Sequence, residues 1–162
     1  MRIDFPASWS IEEAKRPNSI AIVSSERGLG LQNCVVGIQT TEQLGWPAGQ
    51  AESETTASFA RPSRLRNIAD AMEAEYLGGG AARIEGLPSR WFVAVSRVAR
   101  DGGDSVLPHV SYQVLYKSWL VSLTCGSGAV EAGYAAGLAS FRKHELLFRL
   151  IANSMVLPQR WR

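Results

Sequence analysis

Apolar and polar residues alternate with a period of two through much of the second half of the chain. Residues 91–97, 110–116 and 119–125 each show this alternation. Such a pattern places successive side chains on opposite faces of a β-strand. Turn-forming residues separate the three stretches: Asp101-Gly102-Gly103-Asp104 after the first, and Lys117-Ser118 after the second. The pattern therefore predicts three consecutive antiparallel strands, which form a meander.

Shorter strands are predicted towards both ends of the chain. β-branched residues cluster at 20–23, and apolar residues alternate again at 34–38, after a turn predicted at 28–30. Residues 3–5 indicate a strand close to the start of the chain, and residues 154–157 indicate a final short one.

Two helices are predicted where apolar residues recur with helical spacing. The first begins near Ser63, a residue type that caps helix N-termini, and ends at Gly78-Gly79-Gly80. The second covers residues 138–152. Their apolar faces, expected to be buried, contain Leu65, Ile68, Ala69, Met72 and Tyr76 in the first helix and Phe141, Phe148 and Ile151 in the second.

These elements predict one α+β domain over residues 1–162, with a central antiparallel sheet and the helices packed on it. The chain has 162 residues, of which 46% are hydrophobic and 20% charged, as in a globular protein with its own core. The formal net charge is only +2, and the arginines are scattered among acidic residues, which argues against nucleic-acid binding. No apolar run approaches the ~20 residues that a membrane-spanning helix requires.

The compartment is left open by the sequence. The start of the chain lacks the apolar segment of a signal peptide. We therefore expect a periplasmic protein if a leader has been removed, and a cytoplasmic one otherwise.

Cys34 and Cys125 both fall in apolar, strand-like segments. They are consistent either with two buried thiols or with one disulfide between strands, and a disulfide would imply an oxidising compartment. Two cysteines alone cannot form a structural zinc site, and neither histidine has ligand spacing to them. No metal site and no cofactor are expected.

The strongest candidate for catalysis is a cysteine–histidine pair. Cys125-Gly126-Ser127 is predicted at a strand end shortly before a helix, where a thiol pKa can be lowered, and the base would be His109 or His144. A buried strand cysteine explains the same residues, and no other catalytic set stands out. We therefore expect a protein that is not an enzyme and keep the thiol-dependent hydrolase as the alternative.

Residues 41–61 contain many turn-forming and polar residues and predict a long loop. Trp46 lies in this loop beside Pro47, where a partly exposed aromatic side chain is suited to anchor a partner. Phe59, Arg61 and Arg64 follow closely. Together with Trp46 they form the predicted partner-binding set, with a protein as the partner.

The chain resembles the PsbP-like fold family, which includes a Ran-binding nuclear import factor of yeast. The resemblance rests on the order of elements and on weak motifs: Phe5-Pro6-x-x-Trp9, the strand from Pro17 to Val23, Leu120-Val121-Ser122-Leu123-Thr124, and the helix from Phe141 to Asn153. It implies an α/β/α sandwich that binds proteins more often than it catalyses reactions. Bacterial domains of similar appearance include secretion accessory proteins and immunity proteins that neutralise type VI effectors, so the implied partner is an effector toxin or a secretion component. A carrier of an apolar ligand is a further alternative.

Overall fold

The computed structural model describes residues 1–15, 17–25, 31–100, 103–128 and 133–157. Within these residues it contains seven strands, which form one sheet, and four helices. In chain order the elements are β1 (Ser10–Glu13), β2 (Ser19–Ser24), β3 (Leu31–Thr40), α1 (Gln50–Ser53), α2 (Thr56–Phe59), α3 (Pro62–Ala71), β4 (Ala74–Ala81), β5 (Ser89–Arg100), β6 (Gly103–Tyr116), β7 (Trp119–Gly128) and α4 (Tyr134–Asn153).

The strands lie in the order β1-β2-β3-β7-β6-β5-β4, and every neighbouring pair is antiparallel. The sheet therefore consists of two meanders, β1 to β3 and β4 to β7, which join where β3 pairs with β7. This confirms the predicted α+β class and the predicted meander, which corresponds to β5, β6 and β7. The turn predicted at 28–30 and the hairpin residues Asp101 and Gly102 lie outside the described residues.

One face of the sheet packs against α4. The alternate residues Val110, Tyr112 and Val114 of β6 point to this face, and they meet Phe141 and Phe148 from α4 in the largest core cluster. The rings of Phe141 and Phe148 lie 5.8 Å apart. The apolar face of β6, set by its period of two, therefore packs against the apolar face of α4, set by the helical period.

The opposite face of the sheet is covered by α2 and α3. Phe92 of β5 packs with Leu65 and Ala69 of α3, and Phe59 of α2 packs with Leu115 of β6. All five residues are buried. Helices therefore pack on both faces of the sheet, and those on the second face, α2 and α3, are shorter than α4.

The first predicted helix is shorter than expected. It ends at Ala71, because Glu73 has a positive φ of 53° and turns the chain directly into β4. Tyr76 and the three glycines consequently lie in β4, and Met72, predicted to be buried, is 44% exposed. Ser63 does not cap this helix, since Arg61 is the N-cap and Pro62 occupies the first helical position.

The glycine in the middle of β4 is explained by the close approach of two neighbouring elements, β5 and α3. A Cβ atom on Gly79 would come within 2.5 Å of the Trp91 carbonyl oxygen and 2.9 Å of the Leu65 side chain. Only glycine leaves room for β5 on one side and α3 on the other.

The ends of the chain also differ from expectation. Residues 3–5 and 154–157 form no strands; a single bridge joins Arg2 to Val156. The second predicted helix begins earlier, at Tyr134.

Candidate functional site

The segment between β3 and α3, predicted as one long loop, contains the short helices α1 and α2. Its beginning is tied to the sheet. The Thr41 backbone N–H donates to the Ser118 carbonyl at 2.8 Å, and the Trp46 backbone N–H donates to the Thr41 carbonyl at 3.0 Å. The Gln43 amide oxygen accepts from the Thr40 backbone N–H at 2.9 Å. These bonds fix the position of Trp46 over the face of the sheet opposite to α4.

The Trp46 ring lies between an aromatic ring and a cation. Phe59 meets it edge to face, with ring centroids 6.3 Å apart, and the Arg64 guanidinium carbon lies 5.4 Å from its centroid. Phe59 is fully buried, whereas Trp46 remains partly exposed. An edge-to-face aromatic contact and a cation–π contact both stabilise the position of an aromatic ring. The indole is therefore held rigidly with part of its surface open.

Arg64 is itself held in place by an acidic side chain from the same segment. Its Nη1 atom lies 2.7 Å from Glu54 Oε1, and the Glu54 side chain is only 6% exposed. Burial raises the pKa of Glu54, but hydrogen bonds from Ser58, Arg64 and Gln50 together with the Arg64 charge outweigh it and leave the pKa lowered. Glu54 is thus a charged, buried partner that orients Arg64 over Trp46.

A second arginine lies beneath this pair. Arg90 of β5 is 4% exposed; its Nε–H donates to Gln113 Oε1 at 2.7 Å and its Nη1 donates to the Phe59 carbonyl at 3.2 Å. Its guanidinium carbon lies 3.9 Å from the Phe59 ring centroid. Among the described residues no carboxylate lies within salt-bridge distance of it. Burial, together with the Arg64 charge and against that of Glu54, lowers the pKa of Arg90 to about 9, which leaves it charged at pH 7.

These side chains surround a cavity of about 410 Å³ between α3 and the sheet, which we name the Trp46 pocket. Arg90 and Gln113 lie at its base, where both are buried, and the partly exposed Trp46 and Arg64 lie at its edge. Met72 and Leu44, which are 44% and 36% exposed, also line the pocket. The pocket thus has a buried cationic base and an edge that contains both apolar side chains and Arg64.

The predicted partner-binding set is only partly brought together. Trp46 and Arg64 line the pocket. Phe59 is buried beneath Trp46, so it supports the surface without being available to a partner, which corrects its predicted role. Arg61 is exposed at the start of α3 and is not part of the pocket lining.

Arg90 was not identified from the sequence. It is in phase with the buried Phe92, so it is a polar residue at an inward position of β5. This break in the alternation is the signal from which it can be found.

The two cysteines form a disulfide. Cys34 and Cys125 lie directly opposite each other on β3 and β7, with Cα atoms 4.0 Å apart, and both are fully buried. The interpretation as two free thiols is therefore wrong. In this oxidised state Cys125 has no thiol to act as a nucleophile.

The histidines also fail to form a pair with Cys125. The strand β7 continues to Gly128, so Cys125 is not next to a helix start. Cys125 is paired with Val110, and His109, the next residue along β6, therefore points to the other face of the sheet. His144 lies on α4, where its Nδ1 contacts the Ser140 carbonyl at 3.0 Å. A catalytic cysteine–histidine arrangement is not present in this geometry.

A second cavity, of about 500 Å³, lies between α4 and the sheet. Trp91 and Tyr112 line it together with three arginines and one glutamate, which are Arg83, Arg142, Arg149 and Glu145. Burial and the Glu145 charge raise the pKa of Tyr112 to about 12, against the opposing effect of Arg149. The charged lining differs from the closed apolar cavity expected of an apolar-ligand carrier.

Comparison with known proteins gives no assignment: no protein-family model matches the chain, and no curated protein is significantly similar to it. Within the described residues, no helix is long and apolar enough to cross a membrane. The same residues contain no group of three or more histidines, cysteines or acidic residues positioned to hold a metal ion.

Proposed function

We propose that this chain is a non-enzymatic protein-binding domain and that its partner binds at the edge of the Trp46 pocket. One observation carries the proposal: a partly exposed tryptophan is clamped between a buried phenylalanine and an arginine at the edge of a pocket. Tryptophan and arginine are the residues most enriched among binding hot spots, especially where they are rigid before binding. The exposed Met72 and Leu44 extend this surface with apolar area.

The biological role we propose is that of a bacterial immunity or adaptor protein of a type VI toxin secretion system. The support for this role is the resemblance of the sequence to the PsbP-like fold family in its short motifs and in a meander followed by a helix; the final strand expected at 154–157 is not formed. The buried disulfide adds support for a periplasmic location, because such bonds persist in oxidising compartments. The partner is then an effector toxin or a secretion component.

The test is co-purification of the tagged protein from its native host, with the partner quantified by mass spectrometry. We expect Trp46→Ala to weaken binding by about 2 kcal/mol, which is roughly 30-fold. Trp119→Ala is the matched control: Trp119 is 40% exposed, and strand alternation puts it on the α4 face of the sheet. If both variants retain the partner equally, the proposed surface is wrong.

Stability is measured on the same proteins, because Trp46 also packs on Phe59. A Trp46→Ala protein that melts close to wild type and loses the partner supports the proposal. If it unfolds, the double variant Glu54→Gln/Arg64→Gln removes the cation from the same edge, keeps the indole and leaves no buried carboxylate unpaired; it should weaken binding without unfolding the chain.

The cavity beside α4 favours a second candidate function, the binding of a small anionic ligand with an aromatic ring. Its three arginines outnumber its single glutamate, and Trp91 offers a ring for stacking. Thermal shift with benzoate and with cyclohexanol tests this. Stabilisation by benzoate alone, lost in Arg149→Gln, would favour it; no shift with benzoate would count against it.

A further inference from the structure

The charge of Arg90 is held inside the protein without an opposite charge in contact with it. Gln113 and the Phe59 carbonyl accept hydrogen bonds from Nε and Nη1, and no acceptor among the described residues bonds to Nη2. Neutral acceptors orient a guanidinium but do not neutralise it. A buried, uncompensated cation is unfavourable for folding, so its presence at a pocket calls for a functional explanation.

The neighbouring charges leave the pocket positive. Arg64 and Glu54 form an ion pair and offset each other, whereas Arg90 has no such partner among the described residues. The three side chains together carry a net charge of +1, and of the three only the two arginines line the cavity. An anion that enters the cavity would meet a cation already desolvated and oriented, where electrostatic attraction is stronger than in water.

The shape of the pocket favours a carboxylate that is attached to an apolar stem. A guanidinium presents paired N–H donors that match the two oxygens of a carboxylate. The edge of the pocket offers the apolar side chains of Trp46 and Met72 beside Arg64, and a cavity of about 410 Å³ is suited to one or two side chains. A glutamate or aspartate side chain reaching past this edge places its methylene groups against the apolar residues and its oxygens at Arg90.

We propose that the Trp46 pocket recognises an acidic side chain of the partner protein and that Arg90 is the residue that binds its carboxylate. This inference rests on the proposed function, since it names the chemistry by which the partner binds at the same surface. Gln113, which also lines the pocket, contacts Arg90 by accepting the hydrogen bond from Nε at 2.7 Å.

The test uses two small probes and the ¹⁵N-labelled protein at low salt. The probes are N-acetyl-glutamate N′-methylamide and the matching glutamine compound, which differ only in charge. The side-chain N–H signals of Arg90 and Trp46 are followed by NMR. We expect saturable shifts of both signals with the glutamate probe, with a Kd on the order of 1–10 mM, and at least tenfold weaker binding of the glutamine probe.

Two variants place the site. Arg90→Gln should abolish the response of the Trp46 signal, and Arg149→Gln, in the other cavity, should leave it unchanged. Because the two probes are compared on the wild-type protein, the inference remains testable if Arg90→Gln does not fold. Equal shifts with both probes would overturn the inference. So would the absence of any shift of either signal with the glutamate probe at about 50 mM, which is well above the expected Kd on the order of 1–10 mM.

Other sources of an anion are separated in the same experiment. Tighter binding of N-acetyl-leucine, whose carboxylate is that of a chain terminus, would replace the acidic side chain and overturn the inference as stated. Tighter binding of inorganic phosphate would do the same. If the glutamate probe has no effect while Trp46→Ala still loses the partner, the proposed function stands and this inference alone fails.

Discussion

Reduction of the Cys34–Cys125 disulfide should lower the free energy of unfolding substantially without changing the fold. The bond joins residues 91 positions apart, so it closes more than half of the chain into one loop. For a loop of this length, the loss of chain entropy in the unfolded state corresponds to about 4–5 kcal/mol of stabilisation. A domain of this size has a total stability of about 5–15 kcal/mol, so the reduced protein should be folded but marginal.

The assay is urea denaturation followed by circular dichroism, with and without a phosphine reductant. Reduced wild type loses only the cross-link, whereas Cys34→Ala/Cys125→Ala also leaves space at two fully buried positions. We expect the double variant to lose about 1 kcal/mol more for each missing sulfur atom. A loss below about 1 kcal/mol on reduction would refute the reasoning, since it would mean that the unfolded chain is not constrained by the bond.

Two further predictions concern the packing of α4 and the pH dependence of stability. Phe148→Ala should cost about 3–5 kcal/mol, because Phe148 is fully buried between α4 and the sheet. Leu150→Ala, at a position of α4 that is 59% exposed, should change stability by less than about 0.5 kcal/mol. Similar losses at both positions in urea denaturation would mean that the buried face of α4 is misassigned. Burial lowers the pKa of His109, so stability is fully present above about pH 6.5 and falls as the pH drops below it, by up to about 1.4 kcal/mol per pH unit. His109→Gln should flatten this dependence, and an unchanged slope in His109→Gln would contradict the assignment.

The central parts of the meander strands could be predicted because each has one apolar face there, whereas the strands themselves extend further, as β6 does from Gly103. Val110, Tyr112 and Val114 point to α4, and the alternation that this requires is visible in the sequence. The helix α4 was visible for the same reason, since Phe141, Phe148 and Ile151 recur on one side of it. Local period and tertiary burial agree in these elements, so the prediction holds.

Where the local sequence pattern and the tertiary packing differ, the pattern predicted the wrong element or none. The glycines at 78–80 are typical of a helix end, but they lie in β4. Position 79 of this strand requires a glycine because β5 and α3 approach it closely. The helices α1 and α2 have four residues each, too few to show a helical period. Arg90 interrupts the inward apolar positions of β5, but its contacts with Phe59 and Gln113 are known only from the folded structure.

Two of the four side chains proposed from the sequence for partner binding, Trp46 and Arg64, line the pocket. They were chosen because turn-rich sequence near an aromatic residue suggests an exposed anchor, and their role in binding stays a prediction. The cationic base of the pocket depends on which strands are neighbours, since Arg90 of β5 reaches Gln113 of β6. That relation exists only in the folded sheet.

Hydrogen–deuterium exchange of the chain alone and in complex with the co-purified partner shows whether the partner covers the Trp46 pocket, as we propose. We expect slower exchange, on binding, in peptides from residues 41–72, which contain Trp46, Arg64 and α3. Peptides from α4, on the other face of the sheet, should change little. Protection confined to α4, with residues 41–72 exchanging as in the free protein, would mean that the partner binds elsewhere.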